Sequence, residues 1–308
     1  MKNESRLGMD QLQLAFFNQR FEIQYLRATG DQFQELFRRI MEFGYSGDFV
    51  AVRPHGKLGD LKCDGYLASA GTIFQCYAPK GMEIKKLTSK MDEDFHGAVK
   101  HWGAQMKSWV FVHNDPQGLP APALLLLNSF AVEVDGLSTG HWALEELRNI
   151  VMALPVEKLE LLFGAAPVSS LMIQVDNEDI DFVIKAVQRI NPGPNPPLRA
   201  PSAGKLEAND LSTSVAALLT AGRISEPAVD AFLASYPDPG LGEAVAEAFR
   251  NKYRELKSEA VSPDEVFDGL LSFAGGDTGG AKRQAAALAV LSYFFERCDI
   301  FEEPVLAS

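Results

Sequence analysis

The sequence predicts an α/β domain built on a mixed sheet, followed by an all-α domain, and three observations carry that prediction. Short segments rich in β-branched and aromatic residues, set off by Gly- and Pro-bearing turns, crowd the first half of the chain. Such signals disappear after about residue 206, where only helical periodicity continues. Between the two lies NPGPNPPLRAPSAGK, whose Pro192, Pro194, Pro196, Pro197 and Pro201 remove backbone donors and push their neighbours towards extended conformations. The expected organisation is a first domain over 1–190, a Pro-rich linker over 191–206 and a helical domain over 207–308.

Taken in order, Leu12, Phe16 and Phe17, then Phe33, Leu36, Phe37 and Ile40, recur at helical spacing, with Thr29-Gly30-Asp31 as the break between two helices. Strands are expected at FVAVRP (49–54), GYL (65–67), TIFQCYA (72–78), WVFVHN (109–114) and ALLLLNSFAVEV (123–134). Between the third and fourth, residues 89–107 place Phe95, Val99, Trp102 and Met106 on one helical face. The order helix, three strands, helix, strand suggests a mixed sheet flanked by helices. Beyond the linker, helices are expected at about 210–220, 226–235, 240–257, 263–274 and 281–298. Ser262-Pro263-Asp264-Glu265 supplies an N-cap, a proline at the first helical position and a capping-box glutamate together.

Composition narrows the function. The chain has 308 residues, 46% hydrophobic and 23% charged, which fits a soluble globular protein. No run approaches the roughly 20 apolar residues that span a bilayer, so no membrane is expected. The start, MKNESRLGMD, lacks a basic-then-apolar signal pattern, and a cytoplasmic location is expected. Cys63, Cys76 and Cys298 form no CxxC pair, which suggests neither a disulfide framework nor structural zinc. The net charge of −12 excludes a protein that coats nucleic acid by bulk attraction. That charge is uneven: residues 1–110 carry 15 Lys+Arg against 13 Asp+Glu, while residues 205–308 carry 9 against 17.

The stretch GKLGDLKCDGYLASAGTIFQCYAPK (56–80) is the most informative. Asp60 and Asp64 lie in a glycine-marked hairpin region, Gln75 follows on a strand, and Lys80 ends it. Hydrolysis of a phosphodiester with a hard cation needs oxygen ligands and a positive group that stabilises developing charge. An acid opening one strand and an oxygen ligand on the next meet that requirement. Turn formation is the structural alternative for Asp60 and Asp64, and a solvated position the alternative for Glu35.

This stretch resembles the restriction-endonuclease-like superfamily with its PD-(D/E)XK pattern, most closely the Mrr-like branch. The resemblance implies an αβββαβ core, Mg²⁺ (or Mn²⁺) as cofactor and DNA as the expected nucleic acid, with RNA as the other. It assigns Asp64 as metal-binding aspartate, Gln75 at the Glu/Gln position, the Cys76 backbone carbonyl as a further ligand and Glu35 as the helix acid. The family's lysine position holds Tyr77, so Lys80, Lys62 or Lys57 would have to supply the cation, Lys80 first among them. A second resemblance, from DPGLGEAVAEAFRNKYRELKSEAVSPDEVFDGLLSFAGG and AAALAVLSYFFERCDIFE, is to the helical C-terminal domains of bacterial ABC-three-component conflict systems. It implies an ABC-type ATPase and a small middle component as partners; a homo-oligomer is also left open. Together they imply a metal-dependent nuclease effector of an antiphage system, or a catalytically degenerate nuclease-fold scaffold that binds without cleaving. An enzyme acting on a small molecule has no motif behind it.

The other chemistry-bearing residues read as structural. His96 and His101 are five apart, off the face a helical zinc pair would use, and His113 falls at a strand end. GGDTGGAK (275–282) lacks the phosphate-loop spacing and reads as a helix break.

Overall fold

A computed structural model of the chain describes residues 9–52, 61–188, 205, 209–276, 280–297 and 300–301. The elements are α1 (Gln11–Arg27), α2 (Asp31–Gly44), β1 (Phe49–Ala51), β2 (Gly65–Leu67), β3 (Thr72–Tyr77), α3 (Ile84–Trp102), β4 (Ser108–His113), α4 (Ala121–Glu133), β5 (Ser138–Trp142), α5 (Leu144–Val151), α6 (Val156–Phe163), α7 (Ser169–Met172) and α8 (Asn177–Gln188). They continue with α9 (Thr213–Gly222), α10 (Glu226–Ser235), α11 (Leu241–Ser258), α12 (Pro263–Phe273) and α13 (Gly280–Arg297). Two compact units emerge: Phe21–Leu162, and Met1–Arg20 together with Phe163–Ser308.

The first unit holds a mixed sheet in the order β1-β2-β3-β4-β5. β1, β2 and β3 are antiparallel in sequence, whereas β3–β4 and β4–β5 pair in parallel. Parallel neighbours need a crossover, which α3 and α4 supply. The expected succession of helix, three strands, helix and strand is therefore present as α2-β1-β2-β3-α3-β4. The tight β2–β3 hairpin turns at Gly71, which has φ 62° and whose Cβ, if present, would lie 3.0 Å from the Gln105 carbonyl oxygen. Glycine is needed there for both reasons.

Side chains on β3 alternate between two cores. Phe74 faces α2, touching Phe37 and Phe49 with ring centroids 5.4 and 6.4 Å away, and meets Trp142 at 4.8 Å. Ile73 faces the other way, into a cluster with Leu87, Met91 and Phe95 of α3, Trp109 and Phe111 of β4, and Leu127 and Phe130 of α4. Phe95 and Phe130 stack there at 4.0 Å with planes 6° apart. Offset or stacked aromatic pairs of this kind add about 0.5–1.5 kcal/mol beyond area burial.

One expected strand is a helix. ALLLLNSFAVEV forms most of α4, which buries Ala123, Leu127 and Phe130 at i, i+4 and i+7. A continuous apolar run has no period of its own, and Leu and Ala favour helix over the β-branched composition of strands. The fifth strand is instead Ser138–Trp142 at the sheet edge, short and half-exposed, where Thr139 Oγ1 donates to the Leu127 carbonyl at 2.9 Å.

The second unit is helical, and α13 runs through its core with residues 284–296 buried on all sides. The Ser262 capping box forms as its sequence requires: Ser262 Oγ accepts the Glu265 N–H at 3.3 Å, and Glu265 Oε2 accepts the Ser262 N–H at 2.8 Å. Residues 163–188, upstream of the Pro-rich stretch, belong to this unit. Lys282 reaches Asp176 and Asp179 at 3.1 and 3.0 Å, Ser225 Oγ donates to the Met172 carbonyl, and the Arg283 guanidinium lies 3.9 Å over the Phe182 ring. Asn18 and Arg20 of α1 join it, Asn18 Nδ2 to Ser214 Oγ at 2.9 Å and Arg20 to Asp268 at 2.9 Å. The expected linker 191–206 lies outside the described residues except Lys205, as do Lys57, Asp60 and Cys298. Among the described residues no helix is long and apolar enough to cross a membrane.

Candidate functional site

Asp64 is set in place by an unusual stretch of backbone. Leu61 and Lys62 both adopt left-handed conformations, φ 57° and 61°, which cost non-glycine residues on the order of 1–3 kcal/mol each. Three interactions hold them: Trp102 Nε1 donates to the Leu61 carbonyl at 3.2 Å, and Lys62 Nζ meets Glu93 at 2.5 Å and Asp94 at 3.1 Å. The Lys62 stem lies on Gly97, where a Cβ would come within 2.6 Å of its Cγ. After Cys63 the chain enters β2. The Asp64 N–H donates to the Phe74 carbonyl at 2.9 Å, and Asp64 Oδ2 accepts the Cys76 N–H at 2.7 Å. The carboxylate thus occupies the place of a strand carbonyl beside β3.

Asp64 opens onto a cleft of about 640 Å³ with α2 on one wall and β1 on the other. Glu35 lines the same cleft, so the structure brings these two sequence-identified acids together. Asp31 and Glu42 add carboxylates, and among the described residues of the lining Arg38 is the cation. Arg38 binds Glu35 through two hydrogen bonds, 2.5 and 2.8 Å, and Glu42 through one at 2.5 Å. The Arg38 hydrogen bond holds the Glu35 carboxyl below its usual range. Glu35 therefore carries charge already balanced by its own helix.

The remaining residues lie elsewhere. Gln75 alternates with Phe74 and Cys76 and so shares the face of Ile73 and Tyr77, beneath α3. It is 4% exposed, and its Oε1 has no hydrogen-bond partner. Lys80 lines a separate cavity of about 220 Å³ with Leu26, Met82, Asn114 and Asp115. Cys76 is buried; burial, then the nearby Asp64 carboxylate, pushes its thiol well above the ordinary value. Its backbone N–H is the atom that meets Asp64.

Oxygen donors suited to Mg²⁺ would have to converge on one point. Among the described residues, no three His, Cys, Asp or Glu side chains form such a group, and the buried Gln75 Oε1 has no hydrogen-bond partner. Of the set Asp64, Gln75, Cys76 and Glu35, Asp64 and Glu35 line one cleft, and Cys76 lies on the strand against which the Asp64 carboxylate is bonded.

Sequence reasoning passed over Asp94. It is fully buried on α3, where Oδ1 takes Lys62 at 3.1 Å and Lys90 at 2.7 Å while Oδ2 has no partner. The signal was present, because Asp94 falls within the apolar stripe of Leu87, Met91 and Ala98. His113, at the end of β4 as expected, is also fully buried: its Nδ1 accepts the Asp115 N–H at 3.3 Å, and its ring lies 5.6 Å from that of His141. Burial, then neighbouring His141, lowers its pKa to about 4.

Residues 178–302 match the family model for C-terminal domain 10 of the ABC-three component (ABC-3C) systems. The matched span begins in α8 and includes α9 to α13, all within the helical unit. No curated protein and no solved structure matches this chain.

Proposed function

We propose that this chain is a component of an ABC-three-component conflict system, its helical unit holding the ATPase and middle component and its sheet unit acting as a nuclease-type module that binds without cutting. The match over 178–302 supports the first part. The second rests on the missing cation: Tyr77 stands at the family's lysine position, and Lys80 lines a cavity other than the one that holds Asp64 and Glu35. A phosphoryl-transfer site needs a positive group within a few ångströms of the reacting group, and neither Tyr77 nor Lys80 lines the cleft that holds Asp64 and Glu35. The bound species is nucleic acid or a partner protein of the same system.

Metal-dependent DNA hydrolysis is the second reading, favoured by the shared Asp64–Glu35 cleft. There Mg²⁺ or Mn²⁺ would be held by Asp64 and the Cys76 carbonyl, and would supply an activated water. Purified protein, alone and with its co-expressed partner components, incubated with plasmid DNA or RNA and either ion decides between them. The binding reading expects intact substrate with wild type; cleavage that disappears in Asp64→Asn establishes the second. Co-expression with an ABC-type ATPase and middle component encoded beside it tests the system assignment, and failure to co-purify would sink it.

A further inference from the structure

We infer that the solvent face of α4 is a self-association surface, on which two copies of this chain pack helix against antiparallel helix about a twofold axis. Opposite its buried Ala123, Leu127 and Phe130, α4 exposes Leu124, Leu125 and Val132, the last two at 69% and 87%. Isolated exposed apolar residues are ordinary on a protein surface. Here they share one helix face in a stretch, residues 116–132, that contains no charged residue. Leu125 and Val132 are two turns apart and lie on one line. A solvated helix face normally carries charge, and an uncharged apolar stripe marks a contact.

The charges at the two ends select the occupant and its direction. The N-terminal end of α4 carries the partial positive charge of the helix and no charged side chain, whereas Glu133, bonded to His96 at 2.8 Å, and the exposed Asp135 stand at the other end. An antiparallel second copy sets each acidic end beside a positive helix start. A parallel copy would bring Glu133 against Glu133. Midway between Leu125 and Val132 sit Asn128 and Ser129, both exposed and small enough for helix axes to approach within about 8–10 Å. The same surface then serves both partners, as a twofold contact requires. A helix of 13 residues is about 20 Å long, so the contact falls well short of the roughly 800 Å² per partner of a stable interface. The pairing is therefore reversible and concentration-dependent.

Sedimentation velocity on the full chain from about 1 to 200 µM tests this, over the range where a contact of that size associates. Wild type is expected to shift from monomer to dimer, and Leu125→Glu/Val132→Glu to stay monomeric with an unchanged melting temperature, since both side chains are exposed. Direction is read by cysteine cross-linking against the wild-type background. In the antiparallel arrangement Asn128→Cys, beside the axis, joins to its own copy under mild oxidation. Val132→Cys does not, because two such residues lie about 10 Å apart. A monomer at every concentration, a dimer that survives the double substitution, or cross-linking of Val132→Cys to itself would each overturn the inference. Loss of binding to the ATPase or middle component in the double variant, with wild type monomeric alone, would reassign the face to that partner and overturn it too.

Discussion

Asp64 Oδ2 accepts the backbone N–H of Cys76 at 2.7 Å, so the acid that the sequence marks for chemistry also completes the hydrogen bonding of β3. Asp64→Asn keeps an acceptor oxygen and should leave the melting temperature nearly unchanged. Asp64→Ala removes a charge-assisted bond and should cost about 1.5–3 kcal/mol. A denaturant series on both variants checks this. Equal losses in both would show that the negative charge, rather than the bond, matters.

Gln75 should be better as leucine for stability alone. Its buried Oε1 lacks a donor, and a buried polar group without its bond costs about 1–3 kcal/mol. Gln75→Leu is expected to raise the melting temperature by a few degrees. A lower melting temperature would show that the amide is satisfied in solution, for instance by an enclosed water.

The Lys62–Asp94–Lys90 cluster should respond asymmetrically. Removing both lysines leaves a fully buried carboxylate unpaired, and Lys62→Ala/Lys90→Ala is expected to cost about 3–5 kcal/mol. Replacing the buried acid itself, Asp94→Leu, leaves Lys62 its bond to Glu93 and exposes only the Lys90 amine to solvent, and should cost far less. Chemical denaturation separates these outcomes. Equal destabilisation would show that Asp94 has another essential partner, such as the 61–62 turn it helps to hold.

Two histidines should impose opposite pH trends. Folding holds His113 at a pKa of about 4, against about 6.5 when unfolded, because burial disfavours its charged form. The unfolded chain then binds a proton that the folded one refuses, and stability falls as pH drops from about 6.5 to 4, by roughly 3 kcal/mol in all. His96 has a raised pKa, through hydrogen bonds to the Asp92 carbonyl and the Glu133 carboxylate. Its contribution is present at low pH and fades as pH rises through that raised value. Thermal melts from pH 4 to 8 should flatten on the acid side in His113→Asn and lose the opposite slope in His96→Gln.

Much of this architecture is legible in the residues. The β-branched and aromatic run TIFQCY announces β3, and Ser262 with Glu265 announces the start of α12. The apolar run of α4 could not reveal its period, so its helix and the edge strand after it were misread. The candidate site was legible only as a list. Spacing placed Asp64 beside the strand of Gln75, as the bonds of Asp64 to Phe74 and Cys76 show, but it gave no sign of the left-handed turn at 61–62 that leads into Asp64. Such a turn in Leu-Lys has no signature in the sequence, since glycine usually marks it.

The helical unit takes Met1–Arg20 from one end of the chain and Phe163–Ser308 from the other. During synthesis, Asn18 must therefore wait for Ser214 and Arg20 for Asp268. At ordinary rates of translation that interval is roughly ten to fifty seconds. The sheet unit, contiguous over Phe21–Leu162, can close on the ribosome first. Phe16 and Phe17, both fully buried in the finished chain, belong to this early segment. Chaperone dependence and aggregation during expression should therefore follow the opening helix, and a fragment beginning at residue 163 would lack part of its own core.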